Sequence, residues 1–214
     1  MRTPIPAVVM ILLLAGCSAA GDLSAELVTP VDIDLEWTAD PAAADAGQVL
    51  EFATEPAGPW TILGFLPADQ ERYRHPDLIP DTAFYYRVRP LLGAASEPVR
   101  VHLAAAGFDE PVADADLSWA DPRTVDNPPA ALTATVMGRD AVLFTWTDHT
   151  AGEDGQLLEV KPDGAPQWTV AMALDPDVNS AGLMTLDTER RASFRVRAFT
   201  FGESSGVAHR TTGH

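Results

Sequence analysis

Apolar and polar side chains alternate through Phe84-Tyr85-Tyr86-Arg87-Val88-Arg89, and the same period returns in Ala192-Ser193-Phe194-Arg195-Val196-Arg197. A period of two belongs to a strand with one wet face. Phe84, Tyr86 and Val88 are therefore expected to face a core, and Tyr85, Arg87 and Arg89 to face water. Ala192, Phe194 and Val196 repeat the inward set, which predicts one central sandwich strand used twice. The stretches before each copy also match. Asp32–Trp37 alternates with Ile33, Leu35 and Trp37 inward, and Val49–Thr54 with Leu50 and Phe52 inward. Shorter strands are predicted at Leu23–Leu27, Trp60–Leu63 and Pro98–Leu103, separated by the turn residues Thr29-Pro30, Glu55–Gly58 and Gly93–Ser96.

From Pro128 the series runs again: Leu132–Val136, Val142–Trp146, Leu157–Lys161, Trp168–Val170 and Gly202–Ala208. Trp146 follows Trp37 by 109 positions and Trp168 follows Trp60 by 108, an offset that indicates a duplicated unit. Between the copies, 104–127 carries six acids and one base without sustained periodicity. This predicts an acidic linker over 105–127, with Trp119 docking on a neighbouring domain.

These landmarks resemble the fibronectin type III domain, a seven-stranded immunoglobulin-like sandwich. Trp37 and Trp146 match its strand B tryptophan. Leu50 with Phe52, and Leu158 with Val160, match the inward pair on strand C. Gly58-Pro59-Trp60-Thr61 matches the start of the next strand, and Leu78, Pro80, Thr82, Tyr86 and Val88 match the corner and strand F. The family's corner tyrosine falls on Phe84 and Ala192 here, so the hydroxyl that would bond to backbone is missing. The resemblance implies an all-β chain of two tandem sandwiches, at 22–104 and 128–211 (the second divergent), and a binding or spacing role without chemistry of its own.

The N-terminus implies a location. Met1-Arg2 is a short positive start, and Ile5–Leu14 is an apolar run too short to span a bilayer. Leu14-Ala15-Gly16-Cys17 resembles the bacterial lipoprotein box. That resemblance implies a signal peptide over 1–16, cleavage before Cys17 and acyl chains on the cysteine, with 17–21 as a short tether to the membrane lipid. Ser18 rather than Asp after the cysteine resembles the pattern sent on to the outer membrane in Gram-negative lipoproteins. A cell-envelope location follows as an expectation. Cys17 is the only cysteine, which excludes an intramolecular disulfide.

The formal charge of −17 comes from 31 acids against 14 bases, of which Lys161 alone is a lysine, and it argues against nucleic acid as a partner. No G-x-S-x-G elbow, glycine-rich phosphate loop, H-E-x-x-H motif or cysteine pair is present, so no catalytic residue, cofactor or metal is predicted. Asp148-His149 with Glu153 and Asp154 forms an acidic loop, read as solvated rather than metal-binding. The stripe Asp32, Asp34, Glu36 is read as a charged outer face that discourages sheet association. Arg87 and Arg89 are expected opposite Glu51, and Arg195 and Arg197 opposite Glu159, as cross-strand ion pairs. The tryptophans fit core positions.

The candidate binding residues are Arg139, Lys161, Arg190 and Arg191, which strand counting places at the free tip of the second sandwich, for a protein or anionic polymer partner in the envelope. Together these features predict a lipid-anchored, non-catalytic binding module. The alternatives are a structural spacer or assembly subunit and, more distantly, a hydrolase accessory or carbohydrate-binding module.

Overall fold

The structure is a computed structural model that describes residues 22–43, 46–103, 123–124 and 127–214. Cys17, the signal peptide and Trp119 lie outside the described residues. Among the described residues, fourteen strands and two short 3-10 turns, Pro41–Ala43 and Asp187–Glu189, make up the regular structure.

In the first sandwich, β1 (Ser24–Thr29), β2 (Asp32–Glu36) and β5 (Arg72–His75) form a three-stranded sheet in that order. It packs over β3 (Gln48–Ala53), β4 (Thr61–Leu66) and β6 (Ala83–Leu92), with β6 pairing β3 and β3 pairing β4. The core joins Ile33, Leu35 and Trp37 to Leu50, Phe84, Tyr86 and Val88, as the alternation requires. The second sandwich repeats this. β8 (Ala130–Val136), β9 (Ala141–Thr147) and β12 (Ser180–Met184) lie over β10 (Gly155–Pro162), β11 (Thr169–Leu174) and β13 (Arg191–Phe201), around Phe144, Trp146, Leu158, Phe194 and Val196.

The seventh strand of each sandwich comes from the other half of the repeat. β7 (Val99–His102) does not fold back on β6. It pairs antiparallel with β13, setting Val99 against Phe194 and His102 against Arg191, and it places Val101 in the second core. β14 (Ala208–Thr211) returns to β6, with Ala208 opposite Tyr86 and Thr211 opposite Ala83. This corrects the division at 22–104 and 128–211. The first sandwich is built from β1–β6 with β14, and the second is the continuous stretch from β7 to β13, inserted between the last two strands of the first. Gly202–Ala208, expected as a strand, is mostly crossing chain.

The long strands β6 and β13 make the exchange possible. Their C-terminal ends overrun their own sandwiches and pair with each other at Leu92–Thr200 and Leu91–Phe201. Gly93 then turns the chain at φ 142°, where a Cβ would lie 2.1 Å from the Ala198 carbonyl oxygen, so only glycine fits. Ser96 and Ser205 lock the two crossings alike. The Ser96 amide bonds to the Val196 carbonyl and its hydroxyl accepts from the Val196 amide, while Ser205 does the same with Val88.

Candidate functional site

Gln48-Val49-Leu50 and Gln156-Leu157-Leu158 break strict alternation, because apolar side chains occupy both faces of β3 and β10. The structure shows why. Val49, Leu157, Leu91 and Phe199 form a third core between the sandwiches, with Phe65, Val170 and Phe201 against it. β6–β13 pairing makes one sheet of the path β11-β10-β13-β6-β3-β4, and this sheet curls until its end strands β4 and β11 approach each other.

A cavity of about 460 Å³ opens at that seam, lined by Phe65, Val170 and Trp168 and by the polar groups of Glu159, Gln167 and Asp69. Gln167 Nε2 donates to Asp69 Oδ2 at 2.5 Å, joining the two sandwiches at the lip. Glu159 is buried in the wall. It accepts from Arg195 Nε at 2.6 Å and from Arg197 Nε at 3.3 Å, and Arg197, fully buried, also donates to the Gly93 carbonyl at 2.5 Å. On the first sandwich Glu51 accepts from Arg87 Nε at 2.6 Å and Nη2 at 3.1 Å, so that expected ion pair is present. Arg89 differs from expectation: it lies over the Phe201 ring at 4.3 Å and donates to the Gly202 carbonyl.

Two tryptophans leave the core positions expected of them. Trp60 and Trp168 are half-buried on the outer sheet faces, each with a guanidinium 4.4 Å above its ring, Arg87 over Trp60 and Arg195 over Trp168. Trp37 and Trp146 remain in the cores, where their indole N–H groups donate to Gln48 and Gln156. The seam residues escaped the sequence reading because they meet only when the sheet curls. The signal was the pair of apolar residues on consecutive positions of β3 and β10, which marks strands covered on both faces.

The predicted tip residues occupy one end of the second sandwich. Arg190 is ion-paired to Asp140 at 2.8 Å and Arg191 to Asp163 at 3.5 Å. Asp163 also takes Arg100 from the exchanged strand β7 at 2.8 Å. Arg139 is exposed in the turn before β9, and Lys161 is half-buried near the end of β10 opposite Ser193. The stripe on β2 is consumed by its neighbours. Arg74 pairs with Asp34 and holds that carboxyl below its usual range, Arg72 pairs with Glu36, and Asp32 accepts from the Asp77 amide.

At the opposite end of the second sandwich Asp148, Glu153 and Asp177 converge, with one carboxylate oxygen from each lying within 4.8 Å of the others. Arg123 Nη1 bonds both Asp148 Oδ2 and Asp177 Oδ1. Burial pushes the Asp148 carboxyl pKa up, and the nearby Glu153 charge adds to the shift.

The strand order and the cleft at the seam define a class: a pair of seven-stranded immunoglobulin-like sandwiches with exchanged last strands. No protein-family model matches the chain, and no curated protein matches it. Among solved structures it is similar to the FN1-FN3 domains of chicken CNTN1, at 13% identity and TM-score 0.30, over 92% of this chain and 66% of that one. It is similar also to a two-domain fibronectin type III segment of chicken tenascin, at 14% identity and TM-score 0.31, over 90% of this chain and 98% of that one.

Proposed function

We propose that this chain is a lipid-anchored, non-catalytic binding module of the cell envelope, held through acylated Cys17, and that the seam cleft receives a saccharide surface polymer. The observation that supports this reading is the cleft's chemistry. The indole of Trp168 and the ring of Phe65 offer flat apolar walls to sugar faces, while Gln167 and Asp69 at the lip bring amide and carboxylate groups to sugar hydroxyls. The exchange of strands favours a second use of the same body as a spacer, since continuous sheet pairing joins the two sandwiches.

The test combines anchor and cleft. Cys17→Ser should lose acyl labelling and leave the membrane fraction. In co-sedimentation with purified envelope polysaccharide, Trp168→Ala should weaken binding about tenfold or more. Unchanged sedimentation of that variant would favour the spacer, and a photocrosslinker at Gln167 that captured one protein reproducibly would favour a protein ligand.

A further inference from the structure

The acidic group at the end of the second sandwich is asymmetric in two ways. Its buried Asp148 has no acidic counterpart in the first sandwich, where the 109-residue offset that relates Trp146 to Trp37 puts Ala39 at that position. It is also underpaired. Asp148 is fully buried and Glu153 is 6% exposed, and burying carboxylates is costly unless a cation or donors neutralise them. Arg123 contributes one positive charge to three carboxylates and reaches Asp148 and Asp177. Glu153 Oε1 accepts from the Asp177 amide at 3.0 Å, but its Oε2 is buried without any hydrogen-bond partner.

Two further buried atoms without partners, Gln156 Nε2 and Asn179 Nδ2, belong to the same two chain segments. In the first sandwich the equivalent amide of Gln48 is satisfied by the Pro67 and Gln70 carbonyls, at 3.0 and 2.5 Å. Asp148 itself has both oxygens bonded, Oδ1 to the Thr150 amide at 2.9 Å and Oδ2 to Arg123, so the unpartnered buried atoms of these segments are Glu153 Oε2 and the two amide nitrogens. Two oxygens bound at about 2.4 Å to one calcium ion can lie at most about 4.8 Å apart. The three carboxylate oxygens meet that limit.

We infer that Asp148, Glu153 and Asp177 form a calcium site, in which the ion takes the place of the Arg123 guanidinium and engages the carboxylate oxygen that Arg123 leaves unpaired. Calcium's preference for several carboxylate oxygens in an irregular shell suits this group, and the water it retains supplies acceptors for neighbouring amide N–H groups.

Terbium, which substitutes for calcium, is the probe. Trp146 donates to Gln156 and takes its backbone partner from Asn179, so it lies close enough to the site to sensitise terbium emission. The full chain should show saturable emission that calcium displaces, and a higher melting temperature in calcium than in chelator. Asp177→Asn, at an exposed position, should lose both responses, and Glu153→Gln should do the same if it folds. Arg123→Ala should bind the ion several-fold more tightly, and Glu26→Gln on the first sandwich should bind as wild type. Absence of saturable emission, or emission unchanged by Asp177→Asn, would overturn the site and leave Arg123 as a structural counter-ion.

Discussion

Thr212 resolves what the missing corner tyrosine leaves open. Its hydroxyl lies 2.7 Å from the Ile79 carbonyl and accepts from the Thr82 amide at 2.9 Å, so the exchanged end of the chain supplies the bonds that a tyrosine at position 84 would make. Thr212→Val should destabilise the first sandwich by about 1–3 kcal/mol, because it removes two hydrogen bonds to part-buried backbone groups. Phe84→Tyr should give no gain, since the ring at 84 already packs against Phe52 and His75 and an added hydroxyl has no vacant partner at the corner. Chemical denaturation of the two variants checks both. His75 is the other informative residue. Half-buried, edge-on to Phe52, Phe84 and Tyr86, and 3.1 Å from the Tyr86 hydroxyl through Nδ1, it has its pKa lowered by burial. The unfolded chain therefore takes up this proton first as pH falls. Stability is retained above the unfolded value of about 6.5 and is lost as pH falls toward the folded value. Denaturation midpoints measured at about pH 7.5 and about pH 5 should differ less in His75→Gln than in wild type.

Element by element, the alternation was legible wherever a strand has one apolar face. Ile33 and Leu35, Leu50, Tyr86 and Val88, and Phe194 and Val196 all point as the period of two requires. β5 and β12 were not legible. Arg72-Tyr73-Arg74-His75 carries one large apolar side chain, and Ser180–Met184 is dominated by small residues until its end, so neither has a pattern to read. They form because β2 and β9 offer open edges, and β5 adds the ion pairs of Arg72 and Arg74. The exchanged strands differ in weight. β7 and the residue after it bury Val101 and Leu103 in the second core, whereas β14 is largely exposed and acts through its edge and through Thr212. A fragment of residues 99–201 should therefore fold cooperatively, while 128–211, lacking those two side chains, should be destabilised by about 3–6 kcal/mol. Circular dichroism melts of the two fragments test this. Equal stability would mean that β7 adds nothing to the second core.

At the scale of the molecule, the exchange changes what the sandwiches are to each other. Two beads on an acidic linker would share a hinge and little else. Here β6 and β13 pair, a third core fills the gap, and Arg197 is fully buried between Glu159 and the Gly93 carbonyl. The cleft exists only because the common sheet curls back on itself. Residues far apart in the chain, such as Asp69 and Gln167, become neighbours at its lip.

The sequence by itself determined the class of fold, the two cores, the duplication and the ion pairs of Glu51 and Glu159, because each follows from periodicity or from residues directly opposite on adjacent strands. Only the tertiary structure decided which edge each last strand takes. Duplication leaves two chemically similar edges, and the local pattern around Ser96 suits Val196 as Ser205 suits Val88. The choice is made where β6 and β13 overrun and pair at Leu92–Thr200, beyond either sandwich, so that each chain end emerges nearer the other's edge than its own.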